Sequence, residues 1–137
     1  MLREAGLAHA AAGRWSQGVE CLKRLVHSER FDDEARYALS VCNLKLSPKD
    51  LGPSMRAEDH ALRGFHALLR GHSFPLLARL AKDKALDPAD LYYVGFHFAE
   101  MGGDEQALGC QLLAHVAKRW PRSTEGRLAK SRLRTAR

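Results

Sequence analysis

The sequence predicts an all-α fold built from short helices paired as hairpins. Three observations predict it. Ala, Leu, Arg and Glu, all good helix formers, are prominent throughout the 137 residues. Alternating β-branched runs, the mark of a strand, are absent. Glycine, proline and capping residues recur at short intervals and cut the chain into helix-length pieces.

The first helix is expected over about Leu2–Ala12 and stops at Gly13. It opens at Met1-Leu2-Arg3-Glu4 with no N-cap before it, as a piece of a longer chain would. His9 and Gly13 break the Ala-rich stretch, so it does not read as a secretory signal. A second helix starts at the N-cap candidate Ser16 and runs to about His27. The third covers about Asp33–Leu46 and ends before Ser47-Pro48. The segment Ser47–Ser54, too short to separate domains, interrupts the array. The fourth covers about Met55–Arg70 and ends at Gly71. The fifth opens with Ser73, carries Pro75 in its first turn and runs to Leu86. The sixth follows Asp87-Pro88, capped by Asp90 or Asp87, and ends at Gly102-Gly103. The seventh begins at Asp104 and ends before Pro121, and the eighth begins at Ser123 or Thr124.

Composition bounds the class. Hydrophobic residues at 45% and charged residues at 28% exclude a disordered or low-complexity chain. No apolar run approaches the roughly 20 residues that span a bilayer, so no transmembrane segment is expected. Three cysteines without a CxxC spacing exclude a disulfide framework and a zinc ribbon, and suit a reducing, cytoplasmic setting.

Self-comparison reveals a repeat. The 34-residue helical-hairpin pattern runs W-x2-L-G-x2-Y, then A-x3-F, then P. A small residue at its Gly position lets two helices approach, and the proline ends the unit. The sixth and seventh helices fit best, with Leu91, Val94-Gly95 and Phe98, then Gly102 at the turn and Ala107 as the small residue of the second helix. The first two helices fit loosely through Leu2, Ala5-Gly6 and His9, then Gly13, Trp15, Gly18 and Leu22. Leu39-Ser40 places Ser40 34 residues after Gly6. Gly64, Gly71, Leu76, Leu80 and Pro88 supply another unit. The chain therefore resembles the tetratricopeptide repeat (TPR) family over nearly its whole length. It departs from the pattern at His60 and Arg63, where bulky apolar residues belong, and the period slips on both sides of Gly64. The pairing of the helices around 47–72 is left open.

The resemblance implies a single TPR-like solenoid over 1–137 with about four antiparallel hairpins. Hairpin one spans about 2–28, an irregular second repeat 33–54, hairpin three 55–87 and hairpin four 90–120. A basic capping helix covers about 123–136. The resemblance also implies a non-enzymatic adaptor or scaffold that binds a partner peptide or helix in a groove lined by the first helix of each hairpin. By motif offset the groove-facing positions are Tyr37 and Val41, then Ala61, Phe65 and Leu68, then Tyr92, Phe96 and Ala99. Tyr37, Val41, Phe65, Tyr92 and Phe96 are the expected partner-binding residues. The competing reading has all of these packed against neighbouring helices, and it leads for Phe65 and Leu68. The Lys/Asn/Arg set with which chaperone-binding members clamp a C-terminal carboxylate is missing, so an apolar partner face is expected.

Other chemistry has little support. The seven histidines, His9, His27, His60, His66, His72, His97 and His115, form no H-E-x-x-H pair and read as surface or core residues. Cys21, Cys42 and Cys110 lie in apolar helical contexts and read as free buried thiols. Phosphate-binding and nucleophile-elbow motifs are absent. No catalytic site, cofactor or metal is expected.

The net charge of +6 is local. Eight basic residues crowd between Lys118 and Arg137 against Glu125 alone, leaving the rest of the chain close to neutral. Arg127, Lys130, Arg134 and Arg137 share a helical stripe. A solvated capping helix is the first reading. The alternative is anion binding by that stripe, to nucleic acid or an anionic surface. Homo-association of an open helical array is a third reading.

Overall fold

Local sequence signals mark the start of several helices in the computed structural model, which describes residues 1–47 and 59–135. Most of the predicted Ser47–Ser54 interruption, the predicted helix start at Met55 and the terminal Arg137 lie outside these residues. The described residues form eight α-helices and one 3₁₀ turn, with no strand among them. They cluster as two compact units, residues 1–47 with 59–74, and residues 75–135.

The first unit holds α1 (Leu2–Ala11), α2 (Trp15–Leu22), a 3₁₀ turn (Lys23–Leu25), α3 (Asp33–Leu46) and α4 (His60–Gly71). The chain leaves α1 through Gly13 at φ +79°, a conformation that favours glycine. The second helix departs from expectation. It starts at Trp15 with Arg14 as N-cap, not Ser16, and tightens into 3₁₀ at Lys23 instead of running on to His27. Leu22 and Leu25 are both buried, and a threefold helix places residues three apart on one face. Asp59 caps α4 by accepting the Leu62 N–H at 2.9 Å. That helix ends at Gly71, with His72 in the left-handed region at φ 60°.

Small residues set how these helices cross. A β-carbon on Gly6 would lie 2.5 Å from Leu22 Cγ, and one on Gly18 2.8 Å from Cys42 Sγ. One on Gly64 would run into Ser40 Oγ. Thus α1 meets α2, α2 meets α3 and α3 meets α4 at points that admit no larger side chain. Gly64, near the start of α4, meets Ser40, while Ser73, just past its end, reaches Asp33 at the start of α3, so the two helices run antiparallel as a hairpin, with Phe65 and Phe74 both approaching Tyr37. Leu22, Leu25, Ala35 and Ala38 form a core cluster backed by Leu7, Ala10, Phe31 and Leu39.

The start of α3 is tied in two directions. Asp32 accepts the Ala35 N–H at 3.0 Å as N-cap, and Arg3 Nη2 of α1 donates to its other oxygen at 2.9 Å. The Arg3 hydrogen bond, then that of Ala35, holds the Asp32 carboxyl below its ordinary value. A carboxylate with a lowered folded pKa stabilises above its unfolded pKa and loses that contribution as pH falls through the lowered one. Asp32→Ala is expected to cost about 1 kcal/mol at neutral pH through the lost cap. Urea melts should show the difference from wild type shrinking as pH falls below about 4.

The second unit holds α5 (Leu76–Lys82), α6 (Pro88–Ala99), α7 (Gly103–Arg119) and α8 (Thr124–Thr135). Helix α5 is shorter than the expected 73–86. Pro75 stands at its N-cap, and a turn beyond Lys82 places Ala85 N–H on Asp83 Oδ1. For α6 the two proposed caps act together. Asp87 accepts the Asp90 N–H at 2.9 Å while Asp90 accepts that of Asp87 at 3.2 Å. Helix α6 stops at Ala99, short of Gly102-Gly103. The capping residue of α8 is Ser123, whose Oγ accepts the Gly126 N–H at 2.9 Å.

The α6–α7 crossing corrects one expectation. Ala107 is exposed, and the small residue at the contact is Gly109. A β-carbon on Gly109 would penetrate the backbone of Phe98 and Ala99, so only glycine permits this approach. Tyr93, Val94, Phe98, Leu112, Leu113 and Val116 fill the core, and α8 adds Ala129 as it packs on α6 and α7. No described helix is long and apolar enough to cross a membrane.

Candidate functional site

Three helical stripes in the first unit enclose a cleft of about 540 Å³. Its floor is α3, through Arg36, Leu39, Ser40 and Asn43. These recur at the three- and four-residue intervals that keep side chains on one helical face. One wall comes from α2 and the residues after it, through Val19, Lys23, Val26 and Phe31. The other comes from the first turn of α4, through His60, Arg63 and Gly64. The cleft exists because α2 and α4 both pack on α3, each at a small-residue crossing.

The chemistry of the cleft is divided. Val19, Val26, Phe31 and Leu39 make its lining apolar, and Val26 is 40% exposed. Phe31 and Leu39 rest on the core cluster beneath. Lys23, Arg36 and Arg63 are its charged residues, and no carboxylate is among the described lining residues. The Arg36 guanidinium lies over the Phe31 ring, 4.8 Å from its centroid. There it keeps its charge at the mouth of the cleft while its stem covers apolar surface. Lys23 Nζ is 2.9 Å from Glu20 Oε1, and both groups are exposed.

The structure does not leave the expected groove residues open. Tyr37, Val41 and Phe65 are buried in the first unit, as are Ala61 and Leu68. Tyr37 lies between Phe65 at 6.0 Å and Phe74 at 5.5 Å, ring centroid to centroid, so α4 and the residues after it cover that face. In the second unit Tyr92 and Ala99 are buried and Phe96 is half-buried. The Arg132 guanidinium of α8 lies over the Phe96 ring at 5.7 Å. Burial pushes the Tyr92 hydroxyl above its usual pKa, and the Arg132 charge partly opposes that shift. Arg132 of α8 therefore lies beside Tyr92 and Phe96, two of the expected groove residues.

The basic stripe of α8 is open, with Arg127, Lys130 and Arg134 exposed. A small hollow in the same unit is lined by His115, Lys118 and Arg119. Cys42 is buried at the α2–α3 crossing, and burial pushes its thiol up to about 11. Cys21 and Cys110 are half-buried free thiols. Among the described residues no group of three or more His, Cys, Asp or Glu side chains could hold a metal ion.

Sequence reasoning passed over the cleft, although it noted two of its residues. His60 and Arg63 stand out as polar intrusions in the repeat pattern, and both line the α4 wall. The chain matches no family model, no curated protein and no solved structure.

Proposed function

We propose that this chain is a TPR-like helical-repeat module that binds another polypeptide, and that the cleft over α3 is its working surface. The observation that carries this reading is the cleft itself, a largely apolar lining packed on the core cluster, with Lys23, Arg36 and Arg63 among its residues. Such concave, mostly apolar sites with a few placed polar groups are the usual form of a binding site. The repeat resemblance is supported by Gly6 and Gly18, which occupy the pattern's paired small positions and lie at the helix crossings. The buried groove positions favour the cleft over the face formed by Tyr37 and Val41.

The test is site-specific photo-crosslinking in cells. A photoreactive residue at Asn43, inside the cleft, is expected to yield discrete protein adducts. The same residue at Gln111, exposed on α7, should not. Filling the cleft with Arg63→Trp should suppress the Asn43 adducts. Equal adducts from both positions, or none from Asn43, would count against the reading.

A further inference from the structure

We infer that the open face of α8, with Arg122 before it, binds the phosphate backbone of a nucleic-acid duplex without reading its sequence. This surface lies in the second unit and stands independently of the cleft. Arg127, Lys130 and Arg134 are exposed and follow one another at intervals of three and four residues, so they line one stripe about 10 Å long. Thr124, Ser131 and Thr135 are exposed on the adjoining stripe. Glu125, the one carboxylate of the helix, is half-buried on the opposite side. Arg122, Arg127, Lys130 and Arg134 make no ion pair with another described residue. Arg119 and Arg132 differ, because they lie over the Trp120 and Phe96 rings.

A solvated end cap does not call for this arrangement. Solubility asks for polar residues of mixed sign, whereas like charges three and four residues apart repel. Arg122 precedes the N-cap Ser123 and Arg127 closes the first turn, at the helix end whose dipole favours anions. An external anion relieves both costs. The rest of the face selects which anion. Leu128, 45% exposed, is its large apolar side chain, so the face lacks both the apolar core of a protein interface and the apolar stripe with which a helix enters a lipid surface. Helix α8 carries no aromatic residue on which unpaired bases could stack. Basic side chains beside hydroxyls are instead the groups that contact phosphate oxygens. Along the stripe a duplex offers about six phosphates, one per about 1.7 Å of its axis.

The probe is a fluorescein-labelled DNA duplex of about 20 base pairs, read by anisotropy with the full chain. Four phosphate contacts make log Kd rise with log salt at a slope of about 3.6, so affinity is expected to fall roughly a hundredfold from about 50 to about 200 mM salt. A duplex of unrelated sequence should bind within about twofold, because phosphate contacts carry no sequence information. Duplex RNA is run beside the DNA; binding of either supports the proposal, and the tighter one names the source. The triple variant R127A/K130A/R134A, checked for folding by circular dichroism, is expected to bring the slope to about 1. The control R24A/R30A/K84A removes the same charge from exposed positions elsewhere and should keep the parent slope. No duplex binding at about 50 mM salt, tighter binding of a single strand, a slope unchanged in the stripe variant, or an equal fall in both variants would overturn the proposal. Capture by phosphatidylserine vesicles or by poly-glutamate without duplex binding would overturn it in favour of a lipid surface or an acidic protein.

Discussion

Gly109→Ala is expected to destabilise the second unit by about 3 kcal/mol, near the upper end for overpacking a well-filled interior. The added β-carbon would meet backbone atoms of Phe98 and Ala99, not the end of a flexible side chain. Backbone cannot swing aside, so α6 and α7 must separate, and Leu112, Leu113 and Val94 lose contact as they do. Gly→Ala normally stabilises a helix interior by roughly 0.5–1 kcal/mol, so the expected sign is opposite to the propensity effect. Urea unfolding followed by Trp120 fluorescence in a Trp15→Phe background reads the second unit. A midpoint equal to or above that of the parent would refute the crossing geometry. Gly102→Ala is the control, because it lies in the same unit and nothing lies near a β-carbon there.

Phe65→Ala should be at least as costly, at about 3–5 kcal/mol, and in the first unit. Phe65 is fully buried and its ring supports Tyr37. Truncation removes the largest buried apolar group of α4 and leaves a cavity that the small-residue crossing at Ser40–Gly64 cannot close. The same substitution separates two readings of the residue. A partner anchor would lose binding with stability unchanged, whereas a packing residue loses stability first. Thermal melts by circular dichroism are expected to show a fall in midpoint, and an unshifted melt would return Phe65 to the list of contact residues.

The helical framework was legible because its signals are local. Asp32, Asp87 and Ser123 announce helix starts through their own side chains, and Gly13 announces a stop through its backbone freedom. The glycines at the first crossing were legible through the repeat period, since Gly6 and Gly18 fall on its small positions. At the α6–α7 crossing the period misplaced the contact by two residues. Ala107 satisfies the pattern, while Gly109 satisfies the sterics. The 3₁₀ turn at Lys23–Leu25 escaped because it answers to the burial of Leu25, a tertiary demand.

The burial of most groove residues has a related cause. An offset within a repeat says which face of a helix a residue occupies, but not what covers that face. Phe74, beyond the end of α4, covers Tyr37, and Arg132 of α8 covers Phe96. Neither relation is encoded near the residue it affects. The cleft, conversely, draws on residues from position 19 to position 64, and each stripe alone resembles an ordinary helix surface. His60 and Arg63 were the one local clue, as polar residues where packing called for apolar ones.

The contact between Ser40 and Gly64 also makes a pivot. Both residues lie in the cleft lining, so α4 is pinned to α3 at the base of the wall that it forms. A pinned helix can rock but cannot slide. His60 stands four residues from the pin, a lever of about 6 Å, so tilting α4 by about 10° shifts the lip of the cleft by about 1 Å. On the far side of the pin, Phe65 and Leu68 are seated in the core and resist that tilt. The width of the cleft mouth is therefore set by the tilt of α4 about Ser40 and Gly64, while its depth is set by α3.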